Sequence, residues 1–291
     1  MRLLQQRDQV IWALGNITVS IGLAGLPGAV KAAPSPSAPP IVALEFDDAS
    51  GKLWKATSRS LAHSHDEGRT WKSVALPAAA QGNIASLTIS AGRPKTIYVA
   101  VVGSGVLHSH DGGRTWLSRN RGLTNSGVVA LAAHATQART VYAYVFGKGI
   151  FRSRDAGASW SFVNHGPSES VVQLAHSRMP GEIGTGWLFA ATPKGVRRAM
   201  DCFCGWRKAG EVQLNFQVVA SDTGWRERVY ATAREGFFIS QDGGDHWIRM
   251  RSPVAPITAL ASTPSSRLYG AINGKLIRSN DRGVTWEFVA E

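Results

Sequence analysis

The octet SHDEGRTW at residues 64–71 recurs along the chain at a nearly constant interval. It returns as SHDGGRTW at 109–116, SRDAGASW at 153–160, SQDGGDHW at 240–247 and SNDRGVTW at 279–286, and a degenerate copy, AMDCFCGW, occupies 199–206. The final tryptophans of successive copies lie 45, 44, 46, 41 and 39 residues apart. An internal repeat of about 40 residues in a strand-rich sequence predicts the blades of a β-propeller.

Each octet follows short runs of β-branched and aromatic residues that are separated by glycine turns. In the third repeat these runs begin at Val128, Thr140 and Gly149, and a fourth run follows Trp160. Such runs are typical of strands and hairpins. The sequence therefore predicts an all-β, six-bladed propeller of four-stranded antiparallel blades, with the octet between the third and fourth strands. The blades are expected to begin near Ile41, Ile84, Val128, Val171, Phe216 and Ile257.

The octet has a structural logic of its own. Its aspartate can accept hydrogen bonds from backbone N–H groups of its own turn, its glycine can adopt a positive φ, and its tryptophan supplies a large apolar anchor. The same aspartate at one turn position in successive blades indicates a scaffold device rather than a series of active sites. The residues concerned are Asp66, Trp71, Asp111, Trp116, Asp155, Trp160, Asp201, Trp206, Asp242, Trp247, Asp281 and Trp286.

Composition limits the class of protein. The chain has 291 residues, 44% of them hydrophobic, a formal net charge of +12 and only 2 cysteines. Two cysteines exclude a disulfide-dense scaffold and a multi-cysteine metal module, and the hydrophobic content excludes wholesale disorder. The positive charge suggests an anionic partner.

The first 32 residues read as an export signal. Arg2 and Arg7 precede a stretch from Val10 to Val30 without a charged residue, and Val30-Lys-Ala32 offers small residues for signal-peptide cleavage. Residues 33–40 form a proline-rich linker before the propeller at 41–291. We therefore expect a periplasmic or secreted protein; the alternative is an uncleaved N-terminal anchor that associates the chain with the inner membrane, facing the periplasm. Without 1–32 the chain keeps 29 basic and 19 acidic residues, a net +10.

The S-x-D-x-G-x-T-W octet resembles the Asp-box, or BNR repeat, over residues 41–291. This repeat occurs in sialidases, in sortilin-type receptor domains and in the photosystem II assembly and stability factor family. The stretch from Leu131 to Asp155 is more similar to the assembly-factor and sortilin-like repeats than to sialidases. The resemblance implies an exported, non-enzymatic propeller that acts as a binding or assembly factor for an envelope protein complex or another anionic partner.

The alternative is a sialidase-like glycoside hydrolase, or a non-catalytic protein that binds acidic glycans. Sialidase-like catalysis implies an arginine triad, a tyrosine–glutamate pair and an aspartic acid, but the first strand, VALEFDD at 42–48, carries no arginine. Four of the five tyrosines, Tyr98, Tyr142, Tyr230 and Tyr269, share one second-strand position that blade packing explains. Outside the octets no pair of carboxylates of the kind that glycosidases use stands out. We therefore assign no catalytic residue and no cofactor.

One end of the blades carries a repeated positive charge. The turns between second and third strands, opposite the octets, hold a cation in five of six blades: Arg59, Lys148, Lys194, Arg234 and Lys275. Connections from fourth to first strands are expected to add Arg119, Arg121, Lys208, Arg249 and Arg251 at the same end. Lysine and arginine are also ordinary in exposed turns. The functional interpretation is a basic face that attracts a protein complex, an anionic glycan or a lipid headgroup to a monomeric propeller; nucleic acid is not expected.

Cysteine and histidine patterns leave several interpretations open. Cys202 and Cys204 can form a disulfide, remain free thiols, or bind a soft metal together with Met200. The pairs His63/His65 and His108/His110 lie at two different octets and are interpreted as exposed turn residues rather than metal ligands. No metal site is predicted, and no phosphate-binding loop, dinucleotide fingerprint or nucleophile elbow occurs.

Overall fold

The computed structural model describes residues 38–290 except 93–94, 124–126, 182–185, 252 and 254. Within these residues the chain forms 24 strands in six four-stranded antiparallel sheets. Each sheet is built from four consecutive strands, and this confirms the predicted six-bladed propeller.

The blades follow the chain in order. Blades 1 to 3 comprise β1 Ile41–Asp47, β2 Lys52–Thr57, β3 Leu61–Ser64, β4 Lys72–Val74, β5 Ile84–Ile89, β6 Ile97–Val101, β7 Gly105–Ser109, β8 Leu117–Ser118, β9 Val128–Ala133, β10 Val141–Val145, β11 Gly149–Ser153 and β12 Ser161–Asn164. Blades 4 to 6 comprise β13 Gln173–Ser177, β14 Trp187–Thr192, β15 Gly195–Met200, β16 Arg207–Lys208, β17 Phe216–Ser221, β18 Val229–Ala233, β19 Gly236–Ser240, β20 Ile248–Arg249, β21 Ala259–Ser262, β22 Leu268–Ile272, β23 Lys275–Ser279 and β24 Glu287–Phe288.

The first strand of each blade lies innermost. Successive first strands contact one another around the ring, and β21 of the last blade contacts β1 of the first. Thr258 donates a hydrogen bond to the carbonyl of Ile41 at 2.9 Å across this closing boundary. Apolar side chains fill the space between neighbouring blades; Tyr98 of blade 2, for example, packs in one cluster with Val128 and Val141 of blade 3. Burial between blades is therefore the main force that stabilises the ring.

The octet turns are closed by side-chain hydrogen bonds to the backbone. In blade 1 the Ser64 hydroxyl donates to Asp66 Oδ1 at 2.6 Å and accepts the Gly68 N–H at 2.8 Å. The Asp66 carboxylate also accepts the Thr70 N–H at 2.9 Å and the Thr70 hydroxyl at 2.7 Å. The same pattern occurs in the octets of blades 2, 3, 5 and 6, where His246 replaces the threonine in blade 5.

Two octet tryptophans connect neighbouring blades through backbone carbonyls. Trp160 donates its indole N–H to the Arg119 carbonyl at 2.8 Å, and Trp247 donates to the Ala209 carbonyl at 2.8 Å. In both pairs the acceptor lies just after the fourth strand of the preceding blade. These two tryptophans thus anchor their turns against the neighbouring blade as well as in the apolar core.

The expected signal peptide at 1–32 and most of the linker lie outside the described residues. No helix in the described part of the chain has the length and apolar character needed to cross a bilayer.

Candidate functional site

The two ends of the propeller differ in what they present. Because successive strands are antiparallel, the octets and the first-to-second turns lie at one end, which we call the octet face. The second-to-third turns lie at the other end. We call the five cations of these turns, Arg59, Lys148, Lys194, Arg234 and Lys275, together with the turns that carry them, the basic face.

All five basic-face cations are exposed. Among the residues that the structure describes, none of the five lies within 4.0 Å of a carboxylate oxygen. Charges that are not neutralised locally add to the field that a partner meets. The structure therefore brings the five predicted residues to one end of the ring as free positive charges.

Exposed apolar side chains lie at the same end, and the sequence analysis missed them. Phe146 is 62% exposed and Val102 is 47% exposed, at equivalent positions in the second-to-third turns of blades 3 and 2. Val172, just before β13, is 38% exposed. Their position in the sequence could have indicated this location, because Val102 and Phe146 each occur seven residues before the serine of an octet. An exposed aromatic residue beside cations is the kind of side chain that contributes strongly to protein interfaces.

The cations in the fourth-to-first connections meet the expectation only in part. Arg121, Lys208, Arg249 and Arg251 are exposed, and Arg249 lies beside Gly236 at the start of β19. The Arg121 carbonyl, however, accepts the N–H of the octet residue Trp160 at 2.9 Å. Arg119, in contrast, is half-buried, and its Nε donates to His108 Nε2 at 3.1 Å. Its stem also lies beside Gly157 of the next octet. The expectation that Arg119 belongs to the basic face is therefore wrong, because its side chain turns back between blades 2 and 3.

A cavity of about 340 Å³ opens where the first strands end at the octet face. Among its lining residues are Glu45, Asp48, Lys95, Gln173 and Arg178. Burial raises the pKa of Glu45 to about 8, although Thr88 and Lys95 act in the opposite direction. Lys95 pairs with Asp48 at 2.7 Å. The cavity thus holds a carboxyl whose pKa burial raises far above its usual range, and no spacing in the sequence indicates its position.

Side chains in the cavity wall also satisfy the open inner edges of the first strands. The Ala133 N–H donates to Thr88 Oγ1 at 3.1 Å, and the Val219 N–H donates to Gln173 Oε1 at 2.9 Å. These bonds join neighbouring blades where no further strand is present to pair. These polar residues of the cavity wall therefore join neighbouring blades.

The described residues do not assemble a sialidase-like centre. Arg178 is the only arginine among the described residues that line the cavity. Tyr98 and Tyr142 are each 1% exposed, and burial raises the pKa of both to about 12. A buried neutral tyrosine is a poor nucleophile. The second-strand tyrosines are packing residues of the blades.

His134, His176 and Asp201 form a cluster in which one potential ligand atom of each residue lies within 4.8 Å of the others. The two imidazole rings stack at 4.0 Å, and His134 Nε2 lies 3.4 Å from Asp201 Oδ2. Asp201 comes from the degenerate octet, and the histidines come from the ends of the first strands of blades 3 and 4. By distance alone, these three side chains could hold a metal ion.

Hydrogen bonds oppose that interpretation. His134 Nδ1 accepts the N–H groups of Thr136 and Gln137 at 3.1 and 3.0 Å, and His176 Nδ1 accepts the Ala135 N–H at 3.1 Å. Burial lowers the pKa of both histidines, so each is neutral and carries its proton on Nε2. Metal-bound histidines instead donate from the second nitrogen. As folded, the two rings present N–H groups rather than lone pairs on Nε2, which opposes ion binding.

The structure also locates the remaining cysteines and histidines that the sequence singled out. It joins Cys202 and Cys204 in a disulfide. His63 and His108 are 7% and 6% exposed, so the expectation of exposed turn histidines is wrong for these two. Both lie on third strands that pack against the next strand, and burial lowers their pKa to about 4.

Several solved structures share this fold. A GH74 enzyme of Niastella koreensis superposes with a TM-score of 0.62 at 15% identity, over 84% of this chain and 46% of that one. YCF48 from Cyanidioschyzon merolae gives 0.60 at 16% identity, over 88% and 87%. A structure of YCF48 bound to D1 peptide gives 0.58 at 18% identity, over 87% and 82%.

These likenesses show a shared β-propeller fold. The chain spans less than half the length of the GH74 enzyme and most of the length of YCF48. No protein-family model matches the sequence. No curated protein matches it either.

Proposed function

We propose that this chain is a non-enzymatic binding propeller that docks an acidic segment of a protein partner on its basic face and assists the assembly of an envelope complex. The observation that carries the proposal is the set of five exposed cations without carboxylate partners among the described residues, with Phe146 and Val102 exposed at the same end of the blades. The hydrogen-bonded octets support placing the chain among the Asp-box repeat propellers. The YCF48 structure supports peptide docking as the mode of binding, because that propeller, which this chain matches over most of its length, is bound to a peptide.

Charge and apolar surface favour a polypeptide over a headgroup. Five like charges around one end of the ring raise the local concentration of an anionic partner and its association rate. A phosphate-bearing headgroup would use the cations alone. Phe146 and Val102 additionally offer apolar area, which gains free energy only when it is covered by another apolar group. A peptide with acidic residues around an apolar side chain would satisfy both features.

The location proposed for this activity follows from the N-terminal sequence. A cleavable signal at 1–32 would deliver the propeller to the periplasm or the exterior, and an uncleaved anchor would hold it at the inner membrane. Either route places a monomeric propeller beside envelope proteins. N-terminal sequencing of the protein purified from the producing cell distinguishes the two routes.

Neutralising the basic face tests the proposal. A variant with Arg59, Lys148, Lys194, Arg234 and Lys275 all replaced by glutamine is compared with the parent in pull-downs from solubilised envelopes, with partners identified by mass spectrometry. A matched control replaces five exposed octet-face arginines by glutamine: Arg69, Arg114, Arg139, Arg154 and Arg226. We expect the first variant to lose its partner and the control to retain it, with thermal unfolding close to the parent in both.

Two results would count against the proposed binding surface, and a third would change the proposed partner. Retention of the partner by the basic-face variant would show that the binding surface lies elsewhere. Equal loss in both variants would show that net charge, rather than this face, drives binding. Recovery of anionic lipid or glycan in place of protein, with the same loss on neutralisation, would replace the partner class while keeping the surface.

The alternative of a glycoside hydrolase retains one supporting observation. Glu45, whose pKa burial raises to about 8, and Asp48 line the same cavity, and hydrolysis of glycosides uses one acidic and one basic carboxyl. Fluorogenic sialosides and β-glucosides provide the test, with Glu45→Gln as the control. We expect no turnover; turnover by the parent that Glu45→Gln abolishes would reverse the proposal.

A further inference from the structure

The degenerate octet of blade 4 contains the chain's disulfide. The other five octets are closed by a serine and a threonine, serine or histidine that bind the aspartate, but this octet has Ala199 and Gly205 at those two positions. Cys202 and Cys204 are joined across Phe203. Cys202 is half-buried, whereas Cys204 is exposed to solvent.

The turn is held in place independently of the disulfide. The Phe203 N–H donates to the Met200 carbonyl at 2.8 Å, and the Asp201 N–H donates to the Gly186 carbonyl at 3.3 Å. Phe203 is 9% exposed, and its ring packs edge-on against Tyr142 at 5.7 Å. The stabilisation that a cross-link provides grows with the length of the loop it closes, and this loop contains one intervening residue. The fold therefore has little need of this bond.

Local features favour attack on the disulfide at Cys204. Phe203 has φ of 56°, in the left-handed region that glycine occupies at this position of the intact octets with φ of 84° to 92°, so the turn has the conformation of octets without a disulfide. The Cys204 N–H donates to Cys202 Sγ at 3.4 Å. A donor to Sγ stabilises a thiolate at Cys202, which makes this sulfur the better leaving group. The exposed Cys204 sulfur is the one that an incoming thiolate can reach.

We propose that Cys202–Cys204 is a redox-active disulfide that oxidises a pair of reduced cysteines in a client polypeptide. One client thiolate attacks Cys204 Sγ; the S–S bond breaks, and its electron pair leaves on Cys202 Sγ. The second client thiolate then attacks the client sulfur of the mixed disulfide and expels the Cys204 thiolate. The client loses two electrons and two protons, and Cys202 and Cys204 end as two thiols. Phe203 and Asp201 keep the reduced pair positioned for reoxidation by another disulfide.

Transfer to a defined probe tests the proposal. The oxidised protein is mixed with one equivalent of a reduced synthetic peptide that contains two cysteines, quenched in acid and alkylated, and both partners are weighed by mass spectrometry. We expect the peptide to lose two hydrogens while the protein gains two alkylatable thiols in equal amount. A peptide that stays reduced while the protein disulfide stays intact at neutral pH would overturn the proposal.

The order of attack is tested with single-cysteine variants and the oxidised peptide. Cys202→Ser leaves the exposed Cys204 thiol, and Cys204→Ser leaves the half-buried Cys202 thiol. We expect Cys202→Ser to form the mixed disulfide at least about tenfold faster, because exchange requires access to the thiol. Equal rates would overturn the assignment of Cys204 as the attacked sulfur.

A purely structural bond predicts a different outcome. If the disulfide mainly stabilises blade 4, reduction of the parent protein would lower its melting temperature markedly, and no peptide would be oxidised. We expect reduction to shift the melting temperature only slightly, because the turn is otherwise anchored. The parent-protein measurements need no variant to fold, and the basic-face variant should exchange like the parent, so this proposal and the docking proposal fail separately.

Discussion

Replacing Asp155 with alanine removes the carboxylate that closes the octet turn of blade 3. This carboxylate accepts the Ser153 hydroxyl at 2.7 Å, the Ser159 N–H at 2.9 Å and the Ser159 hydroxyl at 2.5 Å. Ser153 is 1% exposed, so its hydroxyl proton would lose its partner inside the protein. The turn also carries Trp160, which binds the preceding blade through the Arg119 carbonyl.

The expected loss can be estimated from these bonds. In a partly exposed turn each contributes about 1 kcal/mol, so Asp155→Ala should lower the free energy of unfolding by about 3 kcal/mol. For a domain of this size, the melting temperature should fall by about 6–12 °C. Urea and thermal unfolding followed by tryptophan fluorescence measure both quantities.

A control comes from an acidic residue outside the octets. Glu235 is exposed in the second-to-third turn of blade 5. We expect Glu235→Ala to cost clearly less than Asp155→Ala, because substitutions of exposed surface residues change stability little. A loss below about 1 kcal/mol for Asp155→Ala, within the range of an ordinary surface substitution, would refute the view that the octet aspartates stabilise the blades.

The stabilisation that the Asp155 carboxylate provides should depend on pH in the acid range. Burial raises the pKa of Asp155, but the bonds from Ser159 and Ser153 outweigh it and lower the pKa from 3.8 to about 2. The folded state therefore holds its proton less tightly than the unfolded state. The stabilisation is complete above the unfolded pKa and is lost as the pH falls towards about 2. The difference between parent and Asp155→Ala should shrink over that interval; a constant difference would contradict the assignment.

Two further predictions concern the closure of the ring and the central cavity. Glu67 of blade 1 accepts hydrogen bonds from Arg267 and Arg278 of blade 6. Glu67→Gln should therefore lower the free energy of unfolding by about 1 kcal/mol at low salt and by less in 1 M salt, because salt screens partly exposed ion pairs. Chemical unfolding at both salt concentrations measures this loss, and a loss that salt leaves unchanged would argue against an ionic contribution. Burial raises the pKa of Glu45 from 4.5 to about 8. The free energy of unfolding should therefore decline as the pH rises through that interval, because the unfolded chain has already released the proton that the folded chain still holds. Glu45→Gln should flatten this dependence on pH, and an unchanged dependence would show that another group is responsible.

Sequence patterns predicted the repeating parts of the molecule well. The blade starts expected at Ile41, Ile84, Val128 and Phe216 are the first residues of strands, and the octets lie between third and fourth strands. A period near 40 residues and short alternating strands are local properties, and local properties are visible in sequence. For the same reason, the turns that carry the basic-face cations could be located by their distance in sequence from the octets.

Other features depend on which blades become neighbours. Arg119 was expected with the exposed cations, but packing between blades 2 and 3 directs it to His108. His63 and His108 were expected at the surface, but their strands are covered on both sides. The stacking of His134 on His176 joins two blades, and no spacing in the sequence indicates it.

The sequence by itself determined the number of blades, the chemistry of their turns and the end of each blade at which the basic-face cations lie. These follow from interactions within one repeat, where residues a few positions apart meet whatever the rest of the chain does. Only the tertiary structure decided which charges stay free, which histidines are buried, and that Glu45 lines the central cavity. Those properties depend on desolvation and on partners from other repeats, which exist only once the ring has closed.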